Sequence, residues 1–448
     1  MLTITRAKEI KGKVAVPHNQ DLFFLGAIVA IASGCRTSIS PTADSPRTKA
    51  WIDALKTYAS ITREAEANIV EPIEKPSADA LSLFYDDIPY RDFTVFLLLG
   101  RFGTLIIDSL PTRRLDQWRG FIEKTGCKLR DKDGSQPRRL ILEGSNNFHG
   151  SDTVIDIDEL HCFFGLAMGM RKPLECITES PFMSPLRHLL PSFGFECKVQ
   201  SLSQKKKEDP LLRRMRFITT GKKSEGPLQF KVTADFTKTP AQQTQLTLPG
   251  DHIFSSLVIA AKCLIPRGSL IVENVSLETW NTAFLQLLKN MGAVIGTQET
   301  HQCSFGSVGN VIIQKISPFG RKVDCKPRFQ FATQLPAMLV VAAFAQGQSV
   351  FRHLEDLRND EPDGIERLNA CLSTLGARHG EMPDGIVLEG AKQFDGFDLG
   401  TPLPGPIAGA FAVAGLKCQG RTTVADEYIL KQWPDFKQLL WSIVEFKE

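Results

Sequence analysis

The sequence predicts an α/β protein built from six copies of one two-helix, several-strand unit, and three observations predict it. Six apolar runs at helical spacing each end in a turn and continue as a β-branched strand. A second helical pattern answers each run a few dozen residues later. The copies recur about 65–100 residues apart, too long a period for a solenoid, and no copy buries its small-residue helix alone, so the units must pack on one another.

Taken in order, the chain opens on MLTITRAKEIKGKV, which alternates as a strand does and lacks the apolar stretch of a secretory leader. The helix–turn–strand copies are AIVAIASGCRTSIS from Ala27, FLLLGRFGTLIID from Phe96 and FFGLAMGMRKPLECI from Phe163. They continue as LVIAAKCLIPRGSLIV from Leu257, VVAAFAQGQSVFR from Val340 and FAVAGLKCQGRTTVA from Phe411. Glycine supplies the left-handed residue that stops a helix. The third copy puts Arg171-Lys172-Pro173 there instead, and proline is tolerated just past a helix end. The answering helices are plain at Arg119, Arg187, Leu285 and Leu368, and weaker at Trp51 and Phe436.

At 448 residues the length favours two or three domains, each with a full core. A net charge of +3 is too small to argue for nucleic acid or a membrane surface, and the basic run Lys205–Lys207 with Arg213, Arg214 and Arg216 reads as a solvated loop and strand. No apolar stretch reaches the roughly 18–20 residues that span a bilayer. The default expectation is a cytoplasmic protein. Ten cysteines without paired spacing, several inside apolar segments, are expected as buried reduced thiols. Eight histidines without ligand spacing give no reason to expect zinc, and no cofactor is implied.

Certain strings carry a resemblance. LPGDHIFSSLVIAA from Leu248 is followed by GSLIVENVSLETWNTAFLQLLKNMGAVI from Gly268 and LRNDEPDGIERLNACLSTLGA from Leu357. MPDGIVLEG from Met382 and LKQWPDFKQLL from Leu430 come after. In order and spacing the chain resembles the enolpyruvyl transferases, and most closely the EPSP synthase family, more strongly in its second half. The resemblance implies two domains of three βαβαββ-type units, an inside-out α/β barrel in which helices pack within a ring of sheets. The first domain is expected over residues 16–246, and the second over 247–448 with residues 1–15 returning to it. It also implies a cleft between them that closes on an anionic acceptor and phosphoenolpyruvate.

Such chemistry needs a ring of lysines and arginines for phosphate and carboxylate, and carboxylates to move protons. Position by position, this chain departs from what the resemblance implies. The K-S-x-S-x-R segment is Asn19-Gln20-Asp21-Leu22-Phe23-Phe24, with Asn19 for the lysine and Phe24 for the arginine. In the N-x-G-T-x-x-R segment Thr94 survives and Phe96 replaces the arginine. D-S-L-R-x-R-P becomes Asp108-Ser109-Leu110-Pro111-Thr112-Arg113, which keeps Arg113. The S-S-Q clamp becomes His161-Cys162-Phe163, and Ser180 stands for a later acceptor serine. Thr333 stands where a proton-transferring aspartate is expected. R-x-K-E-S-D-R becomes Arg358-Asn359-Asp360-Glu361-Pro362-Asp363-Gly364, and D-H-R becomes Pro404-Gly405-Pro406. Lys431 keeps its type.

A cleft carrying Phe24, Phe96 and Phe163 suits a largely apolar small molecule; the alternative is that these rings fill an abandoned cleft as core. The candidate catalytic residues are Lys431, Asp360, Glu361 and His161. Arg113, Arg358, Ser180, Thr94, Asp21 and the three phenylalanines are the candidate binding residues. A buried Asp360–Glu361 pair would raise one carboxyl pKa, although Glu361 and Asp363 equally suit the start of a helix. His161 reads equally as a core histidine, and Cys162 as a nucleophile lacking an evident base. The expectation is a repurposed enzyme of specialised metabolism performing isomerisation, elimination or cyclisation. A transferase with altered binding groups and a non-catalytic scaffold are the alternatives.

Overall fold

A computed structural model describes residues 1–42, 44–74, 82–84, 89–108, 110, 112–131, 139–144, 154–155, 157–178, 185–202, 229–279, 281–315, 317–325, 333–359 and 363–447. Each apolar run of the sequence is an inner helix: α1 Gln20–Ser33, α2 Arg91–Phe102, α3 Ile157–Gly169, α4 His252–Leu264, α5 Leu335–Ala343 and α6 Gly405–Gly415. In α1 every residue but Asp21 is buried, and in α4 every residue but His252. All nine residues of α5 are buried. A helix enclosed on every side has to be small and aliphatic all round, which is how these runs read.

The turns that follow refine the glycine rule. Gly34 (φ 71°) and Gly103 (φ 82°) cap α1 and α2 in the left-handed conformation. In the third copy Arg171 itself takes φ 53°, and its guanidinium donates to the Ser33 carbonyl (2.8 Å) at the end of α1. Cationic groups are favoured at that carbonyl-rich terminus, which offsets the strain of a left-handed arginine. In the second half Ile265, Phe344 and Leu416 occupy the caps, and the left-handed glycines 268, 347 and 420 stand further along the turns.

After each inner helix the chain forms a strand flanked by a parallel neighbour and an antiparallel one. Arg36–Ser40 lies between Gln243–Thr247 (parallel) and Ala67–Pro72, with Ala59–Glu64 outside. Thr104–Asp108, Leu174–Thr178, Leu270–Ser276 and Gln348–Arg352 repeat this arrangement in four further four-stranded sheets. In the sixth sheet Thr422–Val424 pairs with Asp398–Leu399 and, antiparallel, with Leu2–Ile4 from the start of the chain. The parallel strand of the first sheet is supplied from residues 243–247, and that of the fourth from Gly12–Ala15.

Two hydrophobic cores result, one around α1–α3 and one around α4–α6 with Leu2 to Val16. Between them the chain crosses twice, side by side: the Asn19 N–H donates to the Pro249 carbonyl (2.9 Å) and the Asp251 N–H to that of Pro17 (2.6 Å). A third link is not continuous in the chain. The long hairpin Val294–Cys303/Gly306–Lys315 places Phe305, fully buried, in the first core. Thr247 and Ser304 exchange backbone-to-hydroxyl hydrogen bonds beside it (2.9 and 3.3 Å). Glu278 accepts from the Ser307 N–H (2.7 Å) and pairs with His188 of the first domain (3.3 Å).

None of the ten cysteines is in a disulfide and eight are buried; burial pushes Cys176 up to about 12. No helix among the described residues is long and apolar enough to cross a membrane. Glu445 ties the C-terminal strand to Lys8 (2.8 Å) and Lys11 (2.9 Å), and these ammonium groups hold its carboxyl down at about 2. A carboxyl depressed on folding contributes stability that is complete above its unfolded value of 4.5 and lost as pH falls toward about 2. Glu445→Gln is expected to lose that contribution at neutral pH and to converge on wild-type stability as pH falls from 4.5 toward about 2, read by unfolding titrations across that range.

Candidate functional site

The N-terminal ends of α1 and α4 meet where the two domains touch. Asn19 caps α1: its Oδ1 accepts from the Leu22 N–H (3.0 Å). That fixes the amide orientation, so Nδ2 is the atom that donates to His252 Nδ1, 2.8 Å away in the other domain. A neutral His252 then carries its proton on Nε2, 3.2 Å from Thr333 Oγ1. Thr333 accepts, and its own hydroxyl proton is left to donate onward. Asn19 and Thr333 stand at the positions where a lysine and an aspartate were expected, and His252 bridges them. The helix after Thr333 is seated by Gln334, whose Nε2 donates to the His252 carbonyl (3.3 Å) and to Asn281 Oδ1 (3.1 Å).

Behind His252, Asp251 is 3% exposed. Its Oδ1 accepts from the Ile253 and Phe254 N–H groups (2.8 and 2.9 Å), and its Oδ2 from the Trp433 indole (3.0 Å). Burial raises its pKa from the ordinary carboxylate value, against the opposing pull of those donors and of His252. Gln20 spans the junction as well, donating to the Gln432 carbonyl and accepting from Ser45 Oγ (2.8 Å). Asp21, the unburied residue of α1, lies 3.1 Å from Arg47 Nη1, which stacks over Trp51 (4.4 Å). The distance is that of an ion pair, but the angle is not that of a hydrogen bond, so Oδ1 and Nη1 are both buried without one. Burial and the Asp21 charge push the Tyr90 phenol well above its ordinary value.

The structure distributes the sequence-predicted residues unevenly. Asp21 is at the junction, and so is the short helix Glu427–Gln432 bearing Lys431, which packs on Pro46–Leu55 of the first domain. The Lys431 ammonium lies 5.9 Å from the Tyr428 ring. Arg358 is committed elsewhere: it pairs with Asp363 (3.1 Å) and Glu381 (2.7 Å) and donates to the Met382 and Pro383 carbonyls. In place of the expected ligand contact it clamps a hairpin. Asp363 caps the helix Gly364–Leu375, as its position before that helix suggested. Thr94 is fully buried and donates to the Pro89 carbonyl (3.1 Å).

The three phenylalanines follow the core alternative rather than the cleft-lining one. Phe24 packs on Trp51 (5.2 Å between centroids), Phe96 on Trp118 and Phe121 (5.0 and 4.5 Å), and Phe163 on Phe121 (4.8 Å). Each is at most 2% exposed, so none offers a ligand surface in this conformation. His161 is half-buried in α3 beside the buried Cys162. Ser180, Asp360, Glu361 and the Arg113 side chain lie outside the described residues.

Sequence reasoning missed His252, Asp251 and Gln20. The signal was the Asp-His pair opening an apolar helix in LPGDHIFSS: an aspartate there is a cap, which leaves the next side chain in the first turn, outside the core. Among the described residues no group of three metal-ligating side chains lies at this junction.

Comparison with known proteins agrees with the architecture. The sequence model of EPSP synthase (3-phosphoshikimate 1-carboxyvinyltransferase) matches residues 217–440. The 3-phosphoshikimate 1-carboxyvinyltransferase of Thermodesulfovibrio yellowstonii is 29% identical over 197 residues. That match takes in 44% of this chain and 46% of that protein, so the chain spans about half the length of such curated relatives. The protein of that name from Brevibacillus brevis is 24% identical over 464 residues, 99% of this chain and 100% of its own. The solved EPSP synthase of Acinetobacter baumannii shares the fold, with a TM-score of 0.70 at 16% identity over 100% of this chain and 99% of that one. With half of its residues matched by the family's sequence model and its whole length by the family's fold, the chain belongs to the EPSP synthase family.

Proposed function

We propose that this protein is a small-molecule enzyme of specialised metabolism. Its substrate is less anionic than a shikimate phosphate. Acid–base chemistry in the interdomain cleft, with Lys431 as proton donor and the Thr333 hydroxyl, held by His252, as hydrogen-bond donor, replaces carboxyvinyl transfer in an isomerisation, elimination or cyclisation. The observation that carries this reading is the Asn19–His252–Thr333 chain, which puts an imidazole between the places of the expected lysine and aspartate. With Nδ1 taken by the Asn19 amide, His252 holds its proton on Nε2 and turns the Thr333 hydroxyl to donate to whatever the cleft holds. Lys431, on the facing helix, is a cation for a polar handle.

Anion chemistry is disfavoured by magnitude. Each missing charged hydrogen bond removes roughly 1.5–3 kcal/mol, so four of them remove roughly 6–12 kcal/mol, a range that brackets the roughly 8 kcal/mol of a micromolar complex. Titration calorimetry at low salt with shikimate 3-phosphate, then with phosphoenolpyruvate, is expected to give no heat. Micromolar binding of either would return the transferase reading to first place.

The scaffold reading draws on the direct contact of Gln20 with the Gln432 carbonyl, which joins the domains without a ligand. In a reconstituted pathway His252→Ala, Thr333→Val and Lys431→Ala are each expected to abolish product while the protein stays folded. Unchanged output from all three would establish the scaffold instead.

A further inference from the structure

The open end of the fifth sheet gathers side chains that are far apart in the sequence. Register places Asp324 opposite Arg352 in one strand pair and Arg352 opposite Gly385 in the other. The chain runs on through His353, the Leu354 N–H donates to the Asp384 carbonyl (2.9 Å), and Glu355 begins the turn Glu355–Asn359. As a result, one ligand atom from each of His353, Glu355 and Asp384 lies within 4.8 Å of the other two. Asp324 approaches from the neighbouring strand, 3.9 Å from His353 Nε2. Ligands around a first-row metal at about 2.0–2.2 Å stand roughly 3–3.5 Å from one another. Rotations of these half-exposed and exposed side chains cover the remaining distance.

The charges suit a dication. Asp324, Glu355 and Asp384 bring three negative charges and Arg352, paired with Asp384 at 2.6 Å, returns one positive, leaving two to be neutralised beside a neutral imidazole. An imidazole among carboxylates favours zinc or nickel over magnesium or calcium.

We propose that His353, Glu355 and Asp384, with Asp324 alongside, form a site for one divalent transition-metal ion of the zinc class. The bound ion fixes the turn carrying Arg358 to the hairpin that Arg358 clamps. The site was invisible to ligand spacing because its members come from three separate strand ends, joined only by register. It does not depend on the acid–base reading of the cleft.

The test is calorimetric titration of chelator-treated protein with zinc chloride, and with magnesium chloride as comparison. Wild type is expected to take up one equivalent more than His353→Gln. Glu355→Gln, on an exposed side chain, is expected to weaken that equivalent at least tenfold. Zinc uptake equal in wild type and both variants, or magnesium bound as tightly as zinc, would overturn the site. Cobalt substitution gives a second readout: a thiolate charge-transfer band on the distinguishing equivalent would move it to a cysteine and overturn the assignment as well. Circular dichroism establishes that each variant is folded, and Glu355→Gln decides the matter alone if His353→Gln is not.

Discussion

Gly169→Ala is expected to destabilise the first domain by roughly 3 kcal/mol, the largest single effect predicted for this molecule. A methyl group there would fall on the Leu97 carbonyl oxygen of α2, and 2.8 Å from the Arg101 nitrogen. The obstacles are backbone atoms in the middle of a helix, so no rotamer change relieves them. Helices α2 and α3 would have to move apart, and Gly165 (2.5 Å from the Phe93 oxygen) and Gly100 (2.6 Å from the Leu166 oxygen) show the same closeness along the seam. Overpacking of this kind costs about 1–3 kcal/mol and at times more, and here the displaced contact is the whole helix pair. Alanine's helix propensity returns only about 1 kcal/mol. Urea unfolding is the measurement, with Gly120→Ala as control: no atom lies within 4 Å of that position, so alanine there should be neutral or slightly stabilising. The double variant Gly165→Ala/Gly169→Ala should cost less than the sum, because one separation relieves both clashes. Gly169→Ala as stable as wild type would mean that the seam is looser than its backbone geometry.

Asp251→Ala is expected to follow closely, at about 3 kcal/mol. It strips the cap from α4, worth about 1–2 kcal/mol, and leaves the buried Trp433 N–H without an acceptor, about 1–3 kcal/mol more. Release of a buried carboxylate from desolvation offsets part of this. Asp251→Asn keeps an oxygen for Ile253 and Phe254 but sets an amide against the Trp433 donor, so it should fall between. Adding Trp433→Phe should recover much of the asparagine variant's loss. The pH dependence has a definite sign. Burial raises the Asp251 pKa above its unfolded value, so its contribution becomes less favourable as pH climbs from the unfolded value through the folded one. That is opposite to Glu445, and the difference between wild type and Asp251→Asn as pH rises through the carboxylate range measures it.

The repeat was legible because an enclosed helix restricts its own composition: AIVAIAS and LPAMLVVAA can hardly be anything but interior. Their strands were legible because each follows its helix directly. The borrowed strand Gln243–Thr247 was not, since it joins its sheet through backbone hydrogen bonds that impose no residue type. For the candidate site, sequence reasoning could name what was missing at Asn19 and Thr333 but not what had come between them. His252 is four residues past Leu248, in a string that identified the family, and its role exists only because α1 of the other domain starts opposite it. Arg358 erred the other way: its residue type was kept, while Asp363, Glu381 and two carbonyls took its donors. The phenylalanines were read as a change of ligand, whereas their neighbours Trp51, Trp118 and Phe121, scattered along the chain, make them a change of core.

Phe305 bears on how the two halves move. Two bodies joined only at adjacent crossings, Pro17–Asn19 and Pro249–Asp251, share a near-universal joint: they swing, tilt and twist about one point. A third anchor on a separate hairpin reduces that freedom to rotation about the line between the crossings and the hairpin tip. Any other excursion must draw a phenylalanine from a closed core into water, at about 2–3 kcal/mol, and break the His188–Glu278 pair with it. The line of opening is therefore set by where Phe305 is seated, and motion about it works against the Gln20–Gln432 contact and the packing of Glu427–Gln432 on Pro46–Leu55.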